Sequence, residues 1–246
     1  MKKHVYLKFA VMLAVFALLG AALGFGTGKV LDSLGVAKVY DMGRQLSHLA
    51  SQGAFWLLVA NLAILAAGFF FWAQGRSLAV QALEREEDEL YEKAEEVLCR
   101  SVILAAVSTV LGMAAFGMAC CEMEVVLRSL PLFLLEEGAA VVLQHLSVSK
   151  VKVINPEKKG NVFETRFTRE WYNSCDEAER GQIGWAAYQS YCFMQRVYAW
   201  AFVPLALLGC YGLVNPLVFV LWGGLWLGQT VSYSLNSRKA EKGKMY

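Results

Sequence analysis

Two adjacent glutamates, Glu136 and Glu137, stand at the middle of the run VVLRSLPLFLLEEGAAVVLQHL. On either side that run is as apolar as a membrane span, and an ionisable group at such a place costs roughly 2.5–3.5 kcal/mol on insertion scales. Neighbouring residues of a helix point about 100° apart, so one partner cannot readily serve both acids. Arg128 lies two turns towards one end and matches Glu124 better, four residues earlier on the same face. At the depth of the acids the other apolar blocks offer Asn61, with Ser108 and Thr109 slightly further in. These are hydrogen-bond partners, not countercharges. A carboxyl buried without a countercharge favours its protonated form. Three roles fit such a group: a neutral acid bonding between helices, a carrier of a proton or cation, or a receptor for a partner's Lys or Arg. Gly138 follows directly and permits a bend or a close approach.

Elsewhere the chain is poor in chemistry. It has no G-x-S-x-G, H-E-x-x-H or G-x-x-x-x-G-K-[ST]. His4, His48 and His145 fall in segments too far apart to share a metal. The cysteines, Cys99, Cys120, Cys121, Cys175, Cys192 and Cys210, contain no Cys-x-x-Cys and read as small apolar fillers, although one disulfide among Cys120, Cys121 and Cys210 is open. Cys175 has no histidine at an evident distance to activate it. No catalytic residue, metal or cofactor is expected.

The elements that position the acids follow from the apolar blocks. Of 246 residues 57% are hydrophobic, and they are gathered rather than alternated with charge. Six blocks, at about 5–28, 53–75, 101–121, 125–147, 194–211 and 217–235, are long enough to cross about 30 Å of hydrocarbon. The lysines and arginines set the orientation. With the N-terminus inside, 19 of the 23 basic residues are cytoplasmic and only Lys29, Lys38, Arg44 and Arg128 lie towards the outside. The expected fold is all-α: a polytopic membrane protein of six transmembrane helices, N-in and C-in, forming one integral membrane domain over 1–246. Its partner is first the lipid bilayer. A net charge of +2 gives no reason to expect nucleic acid.

Gly20, Gly24 and Gly28 make a smooth stripe on the first span, and Gly224 and Gly228 a shorter one on the sixth. Both fit packing among the spans, with a homodimer seam as the alternative. The outer loop 29–52 fits an amphipathic surface helix. The hairpin 76–100 carries eight acids, and Leu83, Leu90 and Val97 are spaced to hold its two helical arms together, with Asp88 as the N-cap of the returning arm. The inner loop 148–193 has turn signals at Asn155-Pro156 and Lys159-Gly160. Ser174 with Glu177 then reads as a capping box, followed by a helix running into the fifth span.

That loop carries a resemblance. Pro156-Glu157-Lys158-Lys159-Gly160, then Phe167, Trp171, Cys175-Asp176-Glu177 and Glu179, resembles the signature of domain-of-unknown-function family 3169, integral membrane proteins of Firmicutes. The motif covers about 35 residues, and Glu136 and Glu137 are outside it. The resemblance implies a multi-pass protein of the bacterial plasma membrane, and it implies no reaction. Lys158 and Lys159 can face Asp176, Glu177 and Glu179 across a turn, with Phe167 and Trp171 on one helix face. The motif is then either a folded cap or a docking surface for a membrane or cytoplasmic protein. The expectation is a non-enzymatic interaction or regulatory subunit of an envelope system. The alternative is a small proton- or cation-coupled transporter using Glu136 or Glu137.

Overall fold

The computed structural model describes residues 35–210 and 213–241, together with Val11, Leu18, Phe25, Gly26, Lys29 and Ser33. Gly20, Gly24, Gly28 and most of the first predicted span lie outside the described residues. Six helices follow in order: α1 (Val36–Arg85), α2 (Asp88–Ala119), α3 (Met123–Ile154), α4 (Phe167–Asn173), α5 (Glu177–Cys210) and α6 (Pro216–Glu241). No strand occurs among the described residues. Three stretches are long and apolar enough to cross a membrane: Tyr40–Arg85, Asp88–Ala119 and Glu177–Gly209. α3 and α6 are not among them.

α1 is longer than expected. At 50 residues it spans about 75 Å, so the predicted outer loop is from Val36 onward part of the same helix. Gly43 and Gly53 interrupt the pattern, but a helical glycine costs only about 1 kcal/mol, and no proline stands in α1. Pro131 sits inside α3 without ending it.

The chain divides into two compact units, Leu46–Trp185 and a second made of Met1–Gln45 with Ala186–Tyr246. In the first, α1, α2 and α3 pack along seams that alternate steps of three and four residues. α2 buries Ala94, Leu98, Ser101, Ala105, Ser108, Gly112, Ala115 and Ala119. α1 buries Ser51, Ala54, Leu58, Asn61, Leu65, Gly68, Gly75, Ala79 and Ala82. This is the 3.5-residue period of a left-handed coiled bundle, built from small residues that let backbones approach closely. A Cβ on Gly68 would stand 2.6 Å from a Leu143 methyl, and one on Gly75 2.8 Å from Leu98 Cγ. Trp56, Phe70, Ile103, Val110, Leu134 and Leu135 are exposed on the outside. A core of small, apolar and a few polar residues inside an apolar sheath is an arrangement that lipid solvates.

At the α1–α2 turn the expected Leu83–Leu90–Val97 seam is used only in part, with Leu90 and Val97 half-buried. Leu83 is exposed, while Ala82, Ala94 and Leu98 are wholly buried. Alanines and Gly75, against which Leu98 packs, let the two arms approach closely. Asp88 is in the first turn of α2, and Glu87 is the N-cap residue, with no side-chain capping bond.

In the second unit α5 and α6 form an aromatic hairpin. Tyr191 stacks on Tyr233 at 4.0 Å, Tyr198 on Trp226 at 5.9 Å, and Phe202 meets Trp222 at 5.4 Å. Gln195 bonds both Thr230 and Trp226. Asn215 caps α6 by accepting from the Leu217 N–H at 2.9 Å, and Pro216 takes the first helical position, where its missing N–H costs nothing. Gly224 and Gly228 have no atom of the described residues within 4 Å of a Cβ. Among those residues the expected close packing on this stripe is absent.

Candidate functional site

The best-buried carboxyl lies where the three helices of the bundle meet. Glu136 on α3 is 1% exposed, Asn61 on α1 is 4% and Ser108 on α2 is 1%. Asn61 Nδ2 donates to the Ser108 carbonyl at 3.0 Å and to Glu136 Oε2 at 3.1 Å. One amide thus ties α1 to both neighbours. Glu137 is half-buried beside Thr109.

Gly112 makes this convergence sterically feasible. A Cβ there would stand 2.8 Å from Glu137 Oε1, 3.5 Å from Asn61 Nδ2 and 3.7 Å from Glu136 Oε2. Both acids therefore reach the same bare patch of α2 despite their angular separation. Sequence reasoning missed this glycine. Its signal was its place four residues after Ser108 on the buried seam.

The polar inventory does not close. Asn61 Oδ1, Ser108 Oγ, Glu136 Oε1 and Glu137 Oε1 are buried without a hydrogen-bond partner. Such groups are costly unless something satisfies them. Deeper in the bundle Ser101 and Ser147 lie 2.9 Å apart and Ser147 donates onward to the Leu143 carbonyl, a closed arrangement. No Lys, Arg or His among the described residues forms an ion pair with Glu136 or Glu137.

Arg128 is committed elsewhere, and not to Glu124 as expected. Its guanidinium donates to Gln52 Oε1 at 2.6 Å and lies over the Phe55 ring. Gln52 Nε2 donates to Glu122, whose other oxygen is 2.7 Å from His48 Nδ1. Cross-helix partners displace the i,i+4 pair because α1 runs alongside this end of α3.

The 148–193 loop forms a second constellation. Lys158 is 6% exposed. Its ammonium pairs with Glu179, contacts Cys175 Sγ at 3.5 Å and lies 5.9 Å from the centre of the Trp171 ring. Burial pulls the Lys158 ammonium down, but its bond to Glu179 and the neighbouring Cys175 outweigh this and hold it above the ordinary lysine value. Burial pushes the Cys175 thiol up, only partly offset by Lys158. A thiol held protonated is a poor nucleophile.

The cap of α5 is not Ser174 with Glu177 but Asp176 with Glu179. The Glu179 N–H donates to Asp176 Oδ1 at 2.8 Å and the Asp176 N–H to Glu179 Oε2 at 3.0 Å. Ser174 Oγ instead accepts from the Lys159 N–H and donates to the Trp171 carbonyl. Gly160 has φ of +107°, a conformation that favours glycine. A Cβ there would press within 3.1 Å of the Phe167 carbonyl. Lys152 bonds the Gly160 carbonyl. Pro156, Glu157 and Glu177 are exposed. Glu157, Lys159, Glu170, Asn173 and Ser174 line a shallow surface cleft.

Cys120 and Cys121 are exposed free thiols at the α2–α3 turn, and Cys99 is an exposed thiol in the first half of α2. Among the described residues no three His, Cys, Asp or Glu side chains gather as a metal cluster would require. No family model, curated protein or solved structure matches this chain.

Proposed function

We propose that this chain is a non-enzymatic protein of the bacterial plasma membrane that acts as an interaction or regulatory subunit of an envelope system. In this reading six spans place both termini and the 148–193 loop on the inner side. The distribution of basic residues supports that layout, and the apolar sheath around α1, α2 and α3 supports their placement in a membrane. The resemblance of the loop to domain-of-unknown-function family 3169 supports the bacterial location.

One observation carries the functional reading. The loop's reactive side chains, Lys158, Cys175 and Glu179, are spent on one another, while Glu157, Lys159, Glu170 and Asn173 border an outward cleft. A folded charged surface without a poised nucleophile suits recognition of a protein rather than turnover of a substrate. The test is purification of the full chain in mild detergent, as wild type and as the double variant Glu157→Lys with Lys159→Glu. The reading predicts a stoichiometric companion on the wild type that the variant loses at unchanged abundance. Wild type that purifies alone contradicts it.

A second reading, proton- or cation-coupled transport through Glu136 or Glu137, is favoured by the unpartnered buried polar atoms of Asn61, Ser108, Glu136 and Glu137. It predicts flux in vesicles that Glu136→Gln abolishes.

A further inference from the structure

The polar groups where α1, α2 and α3 meet are incomplete in a particular way. Asn61 uses both amide hydrogens, on the Ser108 carbonyl and on Glu136 Oε2. What is left unpartnered is three acceptor oxygens, Asn61 Oδ1, Glu136 Oε1 and Glu137 Oε1, and one hydroxyl, Ser108 Oγ. Neutral water or an added amide cannot balance a buried carboxylate charge; a cation can. The donor set is oxygen only, which suits hard cations and disfavours soft transition metals. Its charge is small. Glu136 is the one wholly buried carboxyl, since Glu137 is half-buried. α1 presents Asn61 to Glu136, and α2 presents Ser108, Thr109 and Gly112, so neither packed helix contributes a titratable group. One positive charge neutralises Glu136, whereas a divalent ion would also need Glu137, half-buried beside Thr109, to be ionised.

We propose that Glu136, Asn61 and Ser108, which Asn61 links where α1, α2 and α3 meet, bind one small monovalent cation, with Na⁺ and H⁺ as alternative occupants of Glu136 Oε1. The site deepens the transport reading and rests on the same placement of α1–α3 in the membrane, but binding itself does not require flux. As a bound cation joins three helices, it also couples ion concentration to the packing of the bundle.

The test uses the full chain in detergent micelles and a hydrophobic carbodiimide, which modifies protonated carboxyls, with the adduct located by mass spectrometry. The site predicts modification at Glu136 that slows about tenfold when Na⁺ replaces a bulky organic cation at equal ionic strength, as occupancy at about ten times the dissociation constant requires. Ser108→Ala should keep the modification and lose the Na⁺ protection. Glu136→Gln should remove the adduct; if that variant fails to fold, Ser108→Ala still decides the question. Modification of Glu136 indifferent to Na⁺, equal protection by K⁺, or an adduct only at Glu137 would each overturn the proposal. Protection without flux in vesicles would reject transport and retain the site, and flux without protection would do the reverse.

Discussion

Gly112 is the glycine against which the two acids pack. Its missing Cβ leaves room for Glu137 Oε1, which would be 2.8 Å away. Gly112→Ala should therefore be less stable in detergent than Gly117→Ala by only about 1 kcal/mol, because the atom its Cβ meets is the movable tip of a side chain and alanine favours the helix. Gly117→Ala, where a Cβ meets nothing within 4 Å, should be neutral or slightly stabilising. Equal melting temperatures for the two variants would show that the acids do not press on α2. In the cap, Lys158 depends on Glu179 in the same way. Removing the carboxylate by Glu179→Gln strands a buried ammonium, a change that costs about 3 kcal/mol where the pair is well buried and less here, since Glu179 is about a third exposed. Faster hydrogen exchange over 155–176 would register it, and restoration by adding Lys158→Met would assign the loss to the stranded charge. The Asn61–Glu136 contact was legible from the sequence, because counting residues along two spans puts both at one depth. Gly112 was not, because a glycine in a helical run reads as lost propensity unless the packed face is already known.

At the scale of elements, the helical arms of the 76–100 hairpin were readable from the absence of glycine and proline, and the structure continues α1 and α2 to within two residues of each other. The seam that joins them was only partly read, because leucines at seven-residue spacing are conspicuous while Ala79, Ala82 and Ala94 are not. In lipid, hydrophobicity does not tell a packed alanine from a lipid-facing one; only the close approach of backbones does. The start of α5 shows a different limit. Ser174 with Glu177 and Asp176 with Glu179 are overlapping boxes of identical spacing, and the three-dimensional choice depends on Ser174 being taken by the Lys159 N–H. Asp176→Ala should consequently fray α5 and cost about 1 kcal/mol, seen as faster exchange of the first-turn amides. Glu177→Ala should leave them unchanged. The opposite ranking would restore the sequence-based assignment.

For the whole molecule, the membrane character was plain from the gathering of apolar residues, and three helices long and apolar enough to cross a bilayer agree with it. The arrangement of polar groups inside the bundle was not legible, because it depends on which faces turn inward. Six spans with the cap inside remain a proposal that the native cysteines can test without any substitution. Cys120 and Cys121 are exposed at the α2–α3 turn, and Cys99 is exposed in the first half of α2, just before the predicted span 101–121. Treating intact cells that produce the protein with a membrane-impermeant maleimide is the most direct measurement of the central claim. The account predicts labelling of Cys120 and Cys121, with Cys99 labelled only after the cells are opened. Labelling of Cys99 in intact cells with Cys120 and Cys121 protected, or equal labelling of all three, would contradict it.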